Sequence, residues 1–253
     1  MAVTAPALSA RACGYEGAYP LTSLVSILQL SDSAFPSGRY TLSYGLETLV
    51  QSSHLTVPSD GSTLLALLGD TIRFGVGPSD GLALACAHRA ADPARGVDLE
   101  LVIQVDQRLT AVKLAREARE ASTRTGRAVL ATAAAAIGGD TLGEYAERVG
   151  QGRSPGNHAI VIGLLSAQLG VPRVEAVVGE LYAFSSGWVA AAVRLGLIEH
   201  RTAQGLLHLL RPVIVDAAGS VVDRGINEIS SSTPLLDVMS MRHEQAELRL
   251  FAS

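Results

Sequence analysis

The chain has 253 residues, a formal net charge of −4 and a pI near 5.9. Its arginines are scattered and Lys113 is its single lysine, so it carries no basic footprint for nucleic acid. Hydrophobic residues make up 48% and charged residues 17%, which excludes a disordered chain and suffices for a substantial core.

Residues 1–20 mix Ala, Gly, Pro and Tyr without a period and read as a mobile lead-in. They lack the charged start and continuous apolar run of a signal peptide. With two cysteines, Cys13 and Cys86, outside any disulfide or zinc spacing, the expectation is a cytoplasmic, reducing compartment. Cys86 and His88 form a lone CxH, and Cys86 reads as a buried small apolar residue.

An all-helical domain is expected over residues 21–253. Leu21 to Leu30 is a short helix with Thr22 or Ser23 as its N-cap. Phe35-Pro36-Ser37-Gly38 is a turn: proline pushes Phe35 out of helical geometry and Gly38 tolerates positive φ. Thr41 to Ser53 resumes as a helix with Leu42, Leu46 and Leu49 on one face. Ser59 to Phe74 follows, capped by Ser59 or Asp60 and stopped by Gly75 and Gly77-Pro78. Ser79 opens the next helix, to about Ala91. Two more cover Leu99 to Ala121 and Thr125 to Ala136. Val102-Ile103-Gln104-Val105 has a β flavour, but its neighbours are helical in pattern.

Gly138-Gly139 breaks the chain before a short helix from Thr141 to Val149, and Ser154 to Asn157 is a loop. Ser154 to Pro172 carries no Asp, Glu, Lys or Arg. Its Pro155, Asn157, His158, Ser166 and Gln168 favour a buried bundle helix over a membrane span. Val174 to Leu195 is the clearest amphipathic helix. Thr202 to Ala218 holds Pro212, an expected kink. The tail, residues 233–253, opens with Thr233 as N-cap and Pro234 at the first helical position, and reads as a helix to Phe251. The sum is an all-α, single-domain bundle of about nine or ten helices.

No catalytic or metal motif stands out. There is no phosphate-binding loop, no HExxH and no GxSxG. His54, His88, His158, His200, His208 and His243 are dispersed, and a lone histidine in such a helix is expected at the surface or hydrogen-bonded. Arg116, Arg119, Arg124 and Arg127 alternate with Glu117 and Glu120, as on a solvated helix face. Glu47 is the best acidic candidate. It lies near the start of a helix, where the dipole favours a carboxylate, and it can accept from backbone or Arg. No second titratable group is placed beside it by spacing.

The stretch Leu28-Gln29-Leu30-Ser31-Asp32-Ser33-Ala34-Phe35-Pro36-Ser37-Gly38, then Ser43-Tyr44-Gly45-Leu46-Glu47-Thr48, resembles the opening signature of the urease accessory protein F family, UreF. Tyr40 takes the family's aromatic place, and Leu42 stands where the family often has His. Three later blocks agree in order: His158 to Leu165 with Leu169-Gly170-Val171; Ala191-Ala192-Val193-Arg194-Leu195; and Asp237 to Glu244 with Arg249 to Ser253. After Leu195 the family usually has a Pro-Leu-Gly-Gln-like turn, where this chain has Gly196-Leu197-Ile198-Glu199-His200.

The resemblance implies a helical, homodimeric scaffold without catalysis of its own, and the residues themselves suggest no cofactor or metal motif. Such proteins bridge a UreH/UreD-type accessory protein and a UreG-type GTPase, and deliver nickel to apo-urease, whose active-site lysine is carbamylated. On this reading Glu47, Arg194, Arg242, His243, Glu244, Arg249, Leu250 and Phe251 are candidate partner-binding residues, and Pro36, Gly38, Ser43, Gly45 and Gly163 shape the fold. Arg and an aromatic near the C-terminus are favoured interface anchors. The alternatives are an all-α enzyme on a small apolar substrate, with Glu47 and His158 as acid and base, or an unrelated helical adaptor.

Overall fold

The computed structural model describes residues 21–246 together with Leu250 and Phe251. The lead-in over residues 1–20, Cys13 and Arg249 lie outside the described residues. Among the described residues there are ten helices and no strand. They are α1 (Leu21–Ser31), α2 (Leu46–Gln51), α3 (Gly61–Asp70, Thr71–Gly81 and Leu82–Ala90 run end to end), α4 (Leu99–Val112), α5 (Arg116–Ala136), α6 (Asp140–Gly150), α7 (His158–Gln168), α8 (Arg173–Arg194), α9 (His200–Val221) and α10 (Pro234–His243). Short 3₁₀ turns sit at Arg39–Thr41 and Ile226–Glu228.

Helix α7 is the axis of the bundle. It is apolar on every side, and all its residues from His158 to Ala167 are buried, as expected of a helix enclosed by others. The last third of α3, with α5 and α8, packs around it. Gly163 permits the closest approach: a Cβ there would lie 2.7 Å from the Leu84 carbonyl and 3.1 Å from Ala87 Cβ. The loop ahead of α7 is fixed by Asp106 of α4, a fully buried carboxylate. It accepts from Tyr145 Oη at 2.7 Å, Ser154 Oγ at 2.6 Å, Gly156 N at 2.7 Å, and Asn157 N and Nδ2 at 3.1 and 2.7 Å. Burial, then the Asp106 charge, push the Tyr145 hydroxyl above its usual range.

Several boundaries differ from the sequence expectation. The helix begun near Ser59 does not stop at Gly75 or Gly77-Pro78; it widens into a π-helix over Thr71–Gly81 and continues to Ala90. Pro78 has no N–H to give the Phe74 carbonyl, and the wider turn lets the chain pass a proline that would otherwise end the helix. Downstream, the break falls at residues 113–115 rather than 122–124. Arg119 Nη1 donates to the Lys113 and Leu114 carbonyls at 2.6 and 2.7 Å and so closes the end of α4. Val102 to Val105 is helical within α4, and α9 runs through Pro212 to Val221.

Helix α1 begins at Leu21, ahead of both expected caps, and Ser23 is buried, donating to the Gly170 carbonyl at 3.1 Å. Of the expected helix at Thr41 to Ser53, only Leu46–Gln51 is α-helical. Tyr44 and Gly45 both take left-handed backbone, φ 54° and 82°, which turns the chain sharply into α2. The tail helix ends at His243 rather than Phe251, and Thr233 makes no side-chain cap.

Candidate functional site: the carboxy-terminal segment on the opening motif

The two least ordinary parts of the sequence meet. Helix α10 lies on α2, with Leu236, Met239 and His243 buried beneath it. Gly45 makes room: a Cβ there would sit 3.4 Å from Ser240 Oγ and 3.5 Å from the Leu236 carbonyl. Ser43, two residues earlier, is fully buried.

Glu47 is the hub. It is 1% exposed. Its carboxylate accepts from Leu250 N at 2.7 Å, Phe251 N at 3.1 Å and Gln51 Nε2 at 3.3 Å. His243 Nε2 lies 3.1 Å from Glu47 Oε2, and His243 Nδ1 lies 2.7 Å from Glu117 Oε2. The ring thus sits between two carboxylates with no exposed surface. One imidazole can donate to two carboxylates at once, one from each ring nitrogen. Next in sequence, Glu244 Oε1 accepts from the amides of Arg116 and Glu117 at 2.7 and 3.3 Å. It caps the start of α5 from 128 residues away, using the free amides and positive dipole end found there.

The chain end is held a second way. Arg194, at the end of α8, places its guanidinium 4.0 Å from the Tyr40 ring centroid and 4.6 Å from that of Phe251. It also donates to the Tyr40 carbonyl and, at 3.3 Å, to Ala190. Both distances are within cation–π range.

A family model for UreF matches residues 59–211. A urease accessory protein UreF of Trichodesmium erythraeum (strain IMS101) is 30% identical over 233 residues, 92% of this chain and 98% of that protein. The chain belongs to the UreF family. It is also similar to urease accessory protein UreF 2 of Brucella canis, 29% identical over 91% of this chain and 92% of that protein. The UreF of Arthrobacter sp. (strain FB24) is 29% identical over 94% and 98%.

In this UreF-family chain the structure brings Glu47, His243, Glu244, Leu250, Phe251 and Arg194 into one constellation; Arg242 points out to solvent, and Arg249 is outside the described residues. Pro36 and Gly38 shape the turn before it, with Gly38 at φ 74°. Glu117 is a correction: it is not on a solvated face but 7% exposed, because the chain end folds over that part of α5. His158 and His243 take the hydrogen-bonded of the two expected states: both are buried, the first beside Arg39 and the second between Glu47 and Glu117. Helix α8 is long and apolar enough to cross a membrane, yet 61% of its apolar stretch is buried inside the bundle.

A second charged cluster went unseen in the sequence. Arg39 Nη1 donates to Glu180 Oε2 at 2.9 Å, and His158 Nε2 lies 3.0 Å from that guanidinium nitrogen and 3.4 Å from the same carboxylate oxygen. Burial alone would raise the Glu180 carboxyl, but Arg39 and His158 outweigh it and hold it at about 2. Burial alone would lower Arg39; Glu180 and Tyr44 instead raise it above its usual range. The only signal available was an arginine after Gly38 and a histidine opening an apolar helix. Glu47 and His158 are thus committed to different partners. Among the described residues, no group of three or more His, Cys, Asp or Glu is placed to hold a metal ion. The turn at Gly196, where this chain departs from the family's usual spelling, packs on Val57 and accepts Ser59 N at the Leu197 carbonyl, 2.8 Å.

Proposed function

We propose that this UreF-family chain is a non-catalytic scaffold in urease maturation. In the cytoplasm it forms a homodimer that bridges a UreH/UreD-type accessory protein and a UreG-type GTPase, and nickel is cargo that the assembly delivers to apo-urease. The observation that carries the reading is the outer side of the carboxy-terminal segment. Its inner side is held by buried polar bonds, while Leu235, Val238 and Met241 of α10 and Leu250 beyond it are exposed, Leu250 at 84%. An apolar stripe on a fixed element, with Arg242 beside it, has the composition of a partner surface. The family relationship supports a maturation role, and Glu47 and His243 are engaged in holding the chain end, which fits a binding surface better than an active site.

The test is size-exclusion chromatography with light scattering, on the chain co-expressed with its host's UreH/UreD- and UreG-type proteins. The full chain is expected to co-elute with both in equal copies built on a dimer. A chain lacking residues 249–253 is expected to lose the UreH/UreD-type protein. Unchanged affinity after that deletion would refute the tail as the binding element.

A further inference from the structure

Helix α10 is reached through residues 229–233, and this connector is fastened to the π-helical part of α3. Ser232 N donates to the Phe74 carbonyl at 2.8 Å, the group that Pro78 cannot serve in an α-helical register. Ser230 N donates to the Pro78 carbonyl at 3.1 Å. That carbonyl is open to it because Leu82 N turns to Gly77 and Ser79 instead. Between these two bonds the connector lies against Gly75. A Cβ at Gly75 would fall 2.8 Å from Thr233 Cγ2 and 3.4 Å from its Oγ1. Glycine is a poor residue for the interior of a helix, and residue 75 is buried. Its local disadvantage is offset only by what it lets approach. What it lets approach is Thr233, the residue before Pro234 at the start of α10.

We infer that Gly75 is a positioning residue for partner recognition: together with the Phe74 and Pro78 carbonyls, it sets where α10 begins and hence where the Leu235, Val238 and Met241 stripe is presented. This rests on the proposed reading of the carboxy-terminal segment as the partner-binding element. The far end of α10 is fixed independently by His243 and Glu244. A shift imposed at Thr233 therefore tilts the helix rather than releasing it. Thr233 is β-branched and stiff at χ1, so its methyl cannot swing away freely. A Cβ at residue 75 must displace the connector or the π-turn itself.

The experiment compares four full-length chains for affinity to the host's UreH/UreD-type protein: the natural sequence, Gly75→Ala, Thr233→Ala, and the two changes together. Gly75→Ala is expected to weaken binding about tenfold or more. Thr233→Ala, which removes the opposing methyl together with a hydroxyl that caps nothing, is expected to bind as the natural chain does. The double variant is expected to return to within about threefold of it, a coupling that a general loss of stability does not produce. Natural affinity in Gly75→Ala, or a loss that Thr233→Ala does not repair, overturns the inference. In the natural chain, amide exchange at Ser230 and Ser232 supplies a check that needs no variant. Both are expected to exchange at least about tenfold more slowly than in an unstructured peptide, and free exchange there also overturns it. The chain lacking residues 249–253 separates the two readings. If it binds as the full chain does, the tail reading itself has failed; if it loses binding while Gly75→Ala does not, only the positioning role has failed.

Discussion

Removing the Glu47 carboxylate tests the hub directly. Four donors converge on it, from His243, Leu250, Phe251 and Gln51, at 2.7 to 3.3 Å. In Glu47→Ala these donors fare differently. The Leu250 and Phe251 amides are only part-buried, so they regain water once the chain end lifts. His243 Nε2 has no such exit: the ring has no exposed surface and stays tied to Glu117 on its other side. Breaking a buried pair by deleting one partner costs about 3–5 kcal/mol. With two of the four donors rehydrated, the low end applies, about 3 kcal/mol. For a chain of this length that corresponds to a fall in Tm of roughly 6–12 °C. Glu47→Gln keeps one acceptor and is expected to fall between the two. Calorimetry gives the size, and amide exchange at Leu250 and Phe251 gives the place, because their protection should vanish in Glu47→Ala even well below Tm. A variant that melts within about 2 °C of the natural chain, with both amides still protected, would refute the assignment of Glu47 as the hub.

Two further outcomes follow from the charged clusters. Glu180 is held at about 2 against an ordinary 4.5. A depressed carboxyl contributes stability that is present above the unfolded value and lost as pH falls from about 4.5 toward 2, here about 3 kcal/mol in all. Urea midpoints across that window should therefore fall more steeply in the natural chain than in Glu180→Gln, and parallel curves would contradict the Arg39–Glu180–His158 arrangement. For Arg194→Ala, the chain end loses one cation–π contact, that with Phe251, about 0.5–1 kcal/mol. Carboxypeptidase trimming is expected to quicken by roughly 2–5-fold with little change in Tm; a large Tm loss with unchanged trimming would make Arg194 a core residue instead.

The all-helical class was legible because it depends on short-range periodicity. Leu64, Leu68 and Ile72 recur at helical spacing, and each is fully buried. The break between α4 and α5 was not legible, since a carboxylate from Glu244 caps α5 across the whole fold. The run through Pro78 was not legible for a related reason: proline and two glycines spell a stop locally, but Ser230 and Ser232 supply from elsewhere part of the bonding the helix lacks. Glu47, His243, Arg194 and Phe251 could be picked out through the family resemblance, yet nothing in their spacing said that they meet. Glu117 was hidden in a charge pattern whose ordinary meaning is solvent.

The way the carboxy-terminal segment is held bears on how it can work. An apolar groove would tolerate a slip along its length, because burial is non-directional. Here the bonds are to two successive amides, to the nitrogens of one imidazole and to the first amides of α5, and each is met in a single register. Buried polar bonds of this kind add little net stability but penalise every misaligned alternative. The segment is therefore placed closely without being held strongly, while the stripe of Leu235, Val238, Met241 and Leu250 is left outside. For the proposed scaffold, geometry is the useful quantity, and register set by Glu47, His243 and Glu244 would deliver it from one end of α10 just as Gly75 and the π-turn would from the other.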